Sequence, residues 1–274
     1  MFTRVLLSAL GLGVALSAAG AQAPQAVKPR EGPLEMKFVR LPKGTFYKGW
    51  HGDDWPTEKA QIKEDFEIAV HTVTQGQWQA LMGNNWCWFS REGGGRNRVK
   101  DIKDEELKQF PAENMSFSEA LGFIKKLNEK ERGSGYSYRL PTTAEWEYAC
   151  RGGATTQAEC SYNFYFDKPT NDLSSEQANF DGNFPAGKAP KGKFLRRTTR
   201  VGAYPPNKLG LCDMHGNVCQ WCADTYKGDT VKVIQGGCWA SPSVQCTASF
   251  RGIDRGEGSA YVGFRLVAVP SGAK

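Results

Sequence analysis

Gly210-Leu-Cys-Asp-Met-His-Gly-Asn-Val-Cys-Gln-Trp-Cys-Ala-Asp-Thr-Tyr226 carries three of the eight cysteines and one of the three histidines of a 274-residue chain. By spacing alone it admits four chemistries. Cys212, His215, Cys219 and Cys222 pass a loose zinc filter. Cys219-Gln220-Trp221-Cys222 has the spacing of a redox pair, which needs a helix N-terminus to activate it. Close cysteines in an oxidising compartment form structural disulfides. Asp213 and Asp224 around the Gly216-Asn217 turn fit a calcium loop, since calcium takes six to eight oxygens.

The compartment is read from the N-terminus. Arg4 precedes an uncharged apolar run, Val5–Ala19, and small residues follow through Ala23. This is the grammar of a secretory signal peptide, so residues 1–23 are read as a signal, with cleavage after Ala21 as the alternative to Ala23. The run is about 15 residues, shorter than the roughly 20 of a membrane span. No membrane span is expected after signal removal, and the chain is expected to be exported, periplasmic or extracellular. Eight cysteines in an exported chain favour disulfides over free thiols.

The rest of the chain is large enough for a substantial core. Its 31 glycines and heavy aromatic content suit a loop-rich α+β fold better than a helical bundle. The net charge of +6 is modest. Its concentrated part, Lys188–Arg200, has no aromatic interleaving beyond Phe194, and reads as a solvated loop instead of a nucleic-acid surface.

Residues 24–34, with Pro24, Pro29 and Pro33, read as a disordered lead-in, and residues 35–270 as one domain. Met36–Lys48 gives two short strands about the Pro42-Lys43-Gly44 turn, and Phe66–Val73 another. Thr74 caps a short helix that Gly83 ends. Ser116 with Glu119 and Thr142 with Glu145 are capping boxes, predicting helices over 116–128 and from 142 to about Cys150. Val231–Ile234 and Tyr261–Val269 read as strands. From Cys160 to Arg200 no periodicity holds, which is an awkward length of loop for a compact domain.

Four segments together carry a resemblance. Arg139–Ala149, RLPTTAEWEYA, resembles RLPTEAEWEYA; Pro205–Trp221 resembles PPNxxGLYDMxGNVWEW; Gln235–Trp239 resembles RGGSW; Gly263-Phe264-Arg265 resembles a closing GFR. In this order they resemble the formylglycine-generating enzyme, or sulfatase-modifying factor, family over roughly residues 35–268. The resemblance implies a modified C-type-lectin-like fold with little regular secondary structure and long ordered loops, which resolves the difficulty over 160–200. It also implies oxidation of a sulfatase cysteine by copper(I) held on two cysteines, three and eight positions after the Ser of RGGSW.

That Ser is Cys238 here, so the two positions are Ser241 and Cys246. A serine hydroxyl is a hard replacement for a thiolate on a soft ion, and copper is therefore not expected. The family's calcium loop maps onto Asp213, Gly216, Val218 and Gln220, with Gln220 in place of a Glu; the lost carboxylate implies a weakened site. The resemblance also suggests disulfides Cys222–Cys246 and Cys219–Cys238. A concave surface around Trp239, Cys246, Arg251 and Arg265 is the expected site.

Three functions follow. The first is a non-catalytic exported module that binds a protein or glycan. The second is an oxidoreductase acting on a peptide cysteine through Cys246, Cys238 or Ser241. The third is a maturation enzyme of different chemistry. The missing thiolate at Ser241 favours the first.

Overall fold

A computed structural model describes residues 28–49, 58–226 and 231–272. The signal-peptide reading of 1–23 lies outside these residues. In chain order the strands are β1 Arg30–Glu31, β2 Lys37–Leu41, β3 Gly44–Lys48, β4 Glu58–Ile62, β5 Phe66–Ala69, β6 Tyr136–Arg139, β7 Phe164–Tyr165, β8 Pro169–Thr170, β9 Cys219–Tyr226, β10 Val231–Gln235, β11 Arg251–Asp254, β12 Val262–Gly263 and β13 Val267–Pro270. The α-helices are α1 Gln75–Met82, α2 Asp104–Leu107, α3 Phe117–Lys130 and α4 Thr143–Cys150. Among the described residues no helix is long and apolar enough to cross a membrane.

The three expected helices form where their caps lie. Thr74, Ser116 and Thr142 each accept the N3 amide, and the N3 side chain returns to the cap amide. Each box satisfies two amides that the first helical turn leaves without partners. Gly83 closes α1 in the left-handed region, where glycine meets no Cβ penalty.

One sheet runs in the order β1-β2-β5-β13-β6. Its side chains alternate between two cores, as the period of a strand requires. Phe38, Ala69, Tyr138 and Ala268 face a core with Trp78, Phe123 and Leu127 from α1 and α3. Val39, Leu41, Ile68 and Val267 face the opposite core with Phe46, Trp146 and Tyr148. Trp78 and Phe123 stack at 5.5 Å, with Phe264 edge-on to both. Fully burying each such ring contributes about 1.5–3 kcal/mol.

A second sheet runs β11-β10-β9-β12, with β12 parallel to β9. The expected strand at 261–269 is therefore two strands in two sheets. At Phe264–Leu266 the chain leaves β9 and joins β5 through Ala69 N donating to Leu266 O and Val73 N to Phe264 O. Of the expected lead-in, residues 24–27 lie outside the described residues, while residues 30–31 form β1. Arg30 and Glu31 pair with Phe38 and Lys37, and Arg30 binds Glu67 at 2.6 Å. Residues 160–200 hold only the two-residue strands β7 and β8 as extended elements, yet Phe164, Leu173, Ala178 and Phe180 bury together with Cys246.

Candidate functional site

β9 and the turn that follows β10 build the site. In β9, Cys219 and Trp221 share one core, while Cys222 lies in the other. Beyond β10 the chain turns through Gly236 and Gly237, both at positive φ. A Cβ on Gly237 would stand 2.6 Å from Cys246 Sγ. Glycine there is what lets the turn lie against that thiol.

The turn brings Cys238 into the same core as Cys219, and Trp239 N, donating to Asn217 O at 2.9 Å, holds it against the start of β9. Ser241 Oγ accepts the Cys238 amide at 3.1 Å and lies 3.4 Å from Cys238 Sγ. The neighbouring Cys219 thiol and the Ser241 hydroxyl favour the anion and lower the pKa of the Cys238 thiol against opposing desolvation. Cys246 is fully buried behind the turn. Desolvation, with the Cys238 charge adding to it, holds its thiol well above the ordinary range. The expected residues Cys238, Ser241 and Cys246 are thus brought together.

Above the thiols lies a row of rings. Half-buried Trp239 stacks on Tyr261 at 5.3 Å and on Phe194 at 6.2 Å, with Phe89 edge-on beneath at 5.4 Å. Trp239 Nε1 donates to Ala260 O, fixing the ring, and Arg196 lies over Phe194. Phe194 and Tyr261 were not among the expected site residues. Phe194 sits in a stretch without periodicity, and Tyr261 read as the start of a strand. A separate cleft of about 510 Å3 is lined by Gln75, Asn84, Asn85 and the exposed Trp86.

The two arginines expected on this surface lie elsewhere. Arg265 is fully buried and donates to Gln220 Oε1 and to the carbonyls of Ala69, Val70 and Cys212. A guanidinium has five N–H donors, and buried charge persists where acceptors surround it. Burial still lowers its pKa to about 10. Arg251 reaches from β11 to Glu147, 3.3 Å away, which also holds the buried Arg151.

The expected calcium set does not assemble around Gln220. Its Oε1 already accepts Trp146 Nε1 at 2.7 Å and Arg265 Nε at 2.6 Å, and its Nε2 donates to Asp213 O. Gly216 O accepts the Val218 amide, and Asp213 Oδ2 accepts the Gly202 amide. A dication at Gln220 Oε1 would displace a guanidinium, so these residues do not fit the ion there.

The zinc reading also separates in space. His215 Nε2 accepts the Tyr165 amide at 2.8 Å and its Nδ1 donates to Cys246 O at 2.7 Å, leaving no lone pair for a metal. The expected Cys222–Cys246 bridge is not formed. Cys222 Sγ donates to Gln235 Oε1, Cys246 Sγ to Pro242 O, and all eight cysteines are free thiols.

The profile of the Sulfatase-modifying factor enzyme 1-like domain matches residues 23–269. The chain belongs to the sulfatase-modifying factor family. The Inactive C-alpha-formylglycine-generating enzyme 2 of Mus musculus is 35% identical over 190 residues, covering 68% of this chain and 52% of the relative. The Formylglycine-generating enzyme of Mus musculus is 38% identical over 176 residues, 63% of this chain and 41% of the relative. The match to the Serine/threonine-protein kinase pkn1 of Chlamydia pneumoniae, 26% identical over 87% of this chain, spans only 39% of that protein. Among solved structures, PvdO from Pseudomonas aeruginosa superposes with a TM-score of 0.65 at 21% identity, over 90% of this chain and 99% of that one. Mixed helix and sheet with few helices and long loops is the modified C-type-lectin-like fold expected of this sulfatase-modifying factor domain.

Proposed function

We propose that this sulfatase-modifying factor domain is exported, lacks copper-dependent cysteine oxidation, and binds a protein or glycan on the face formed by Phe194, Trp239 and Tyr261. The observation that carries the reading is Ser241. Its hydroxyl stands where the family pattern calls for a thiolate, and it is already bonded to the Cys238 amide. A hydroxyl is barely ionised at neutral pH and is a poor ligand for a soft ion. The 35% identity to a relative named as inactive supports the same reading.

Large rings fixed at a surface supply contact area with little ordering entropy. The row suits an aromatic or aliphatic side chain or the apolar face of a sugar. Incubation of reduced protein with copper(I), oxygen and a cysteine-containing sulfatase-motif peptide tests the absence of oxidase chemistry. No aldehyde is expected by mass spectrometry after hydrazide capture, and an aldehyde product would overturn the proposal.

A further inference from the structure

Cys219 and Cys238 are separate departures from the family pattern, standing where it has Trp and Ser, and the fold sets them in one core: Gln235 pairs with Gln220, and Trp239 N donates to Asn217 O, so the turn carrying Cys238 runs along the start of β9. Cys219 is fixed on β9, its amide donating to Tyr261 O. Cys238 is held by the turn, its amide donating to Ser241 Oγ and its sulfur 3.4 Å from that oxygen. A thiol with a hydroxyl beside it and a second thiol on the neighbouring strand has the arrangement of an attacking and a resolving cysteine. The two are 8% and 5% exposed, whereas Cys246 is at 0%. Approach from solvent therefore meets this pair before Cys246.

We propose that Cys219 and Cys238 form a reversible dithiol–disulfide couple that exchanges electrons with low-molecular-weight disulfides. In the first step the Cys238 thiolate attacks one sulfur of the external disulfide. A mixed disulfide forms, the external S–S bond breaks, and one thiolate leaves and takes up the proton that Cys238 gave to solvent. In the second step the Cys219 sulfur, its proton released, attacks Cys238 Sγ. The Cys219–Cys238 bond forms, the mixed disulfide breaks, and the second external thiol leaves protonated. Two protein thiols are oxidised, one external disulfide is reduced to two thiols, and the protons balance. The bond would join β9 to the turn beneath Trp239 and Tyr261, staying outside the Cys222–Cys246 pairing and any copper chemistry.

The experiment treats the reduced full chain with oxidised glutathione, quenches with an alkylating agent and maps peptides without reduction. The expected result is a loss of two hydrogens in a peptide pair linking Cys219 to Cys238, reversed by dithiothreitol. In Cys219→Ser the resolving thiol is gone, so one glutathione should accumulate on Cys238. In Cys238→Ser, Cys219 should acquire none. Retention of two alkylatable thiols in the wild-type pair under glutathione disulfide would overturn the proposal, as would linkage of either residue to another cysteine. The wild-type map needs no variant to fold. Its outcome is independent of the aldehyde assay, so failure of this couple is distinguishable from failure of the non-oxidase reading.

Discussion

Gln220 stands at the centre of a buried polar junction in which its carboxamide oxygen takes two N–H groups and its amide nitrogen serves Asp213 O. Truncation would leave the Trp146 indole and part of the Arg265 guanidinium without an acceptor. An unsatisfied buried neutral donor costs about 1–3 kcal/mol, and a charged one more. Gln220→Ala should therefore lower unfolding stability by about 3 kcal/mol or more, read by urea titration. Because the same oxygen is committed to a cation of the protein, millimolar calcium should leave the melting temperature of the wild type unchanged. A rise of several degrees would show calcium-dependent stabilisation and contradict the geometry. His215 permits a pH test. Desolvation by burial lowers its pKa from 6.5 to about 4. With the folded value depressed, its contribution is present above pH 6.5 and lost as the pH falls through about 4, by up to about 3 kcal/mol. Asp213, raised to about 6 by burial, works in the opposite sense, favouring the fold at low pH and losing that contribution as pH rises through 6. The His215 component is therefore read as a difference from His215→Gln, whose stability should fall less than the wild type's between pH 6.5 and 4.

α3 and α4 show how an element can be written locally. Each begins with a hydroxyl that accepts the N3 amide and a carboxylate that answers the cap amide. On α4 the carboxylate has a second task, binding Arg139 in a two-point pair at 2.6 and 2.7 Å. Ser116→Ala should cost α3 about 1 kcal/mol, the ordinary worth of an N-cap. Thr142→Ala should cost more, because Glu145 is the pivot between the cap and Arg139; denaturation of the two variants side by side checks the order. These helices were legible because their signals lie within a few residues. β9 was not legible in full, because its side chains enter a core on each face and the usual alternation of apolar and polar residues is absent. The site divides in the same way. Cys238, Ser241 and Cys246 followed from one motif and its spacing. Tyr261 and Phe194 come from distant chain and meet Trp239 only after folding. Arg265 and Arg251 were expected at the surface because the carbonyls and the Glu147 carboxylate that bind them cannot be seen in the sequence around them.

At the scale of the molecule, one stretch holds the two main sheets together. Val262–Gly263 pairs with Cys219–Gln220 in the second sheet, and Val267–Pro270 lies between β5 and β6 in the first. Between them Phe264 and Leu266 are fully buried in the core shared with α1 and α3, and Arg265 closes the polar junction at Gln220. These pairings join residues near the end of the chain to strands from its first third and middle. Such contacts require long loops to close before they are rewarded, which slows folding. Neither sheet can therefore complete itself without this stretch, and the two should unfold together. Deleting residues 259–274 should abolish cooperative folding, seen as loss of near-ultraviolet circular dichroism and of a thermal transition. Deleting 271–274 leaves β12 and β13 whole and should leave the transition intact. A 259–274 deletion that still melted cooperatively would show that the first sheet is stable with β6 unpaired. The linkage of the two sheets through Phe264–Leu266 would then be dispensable.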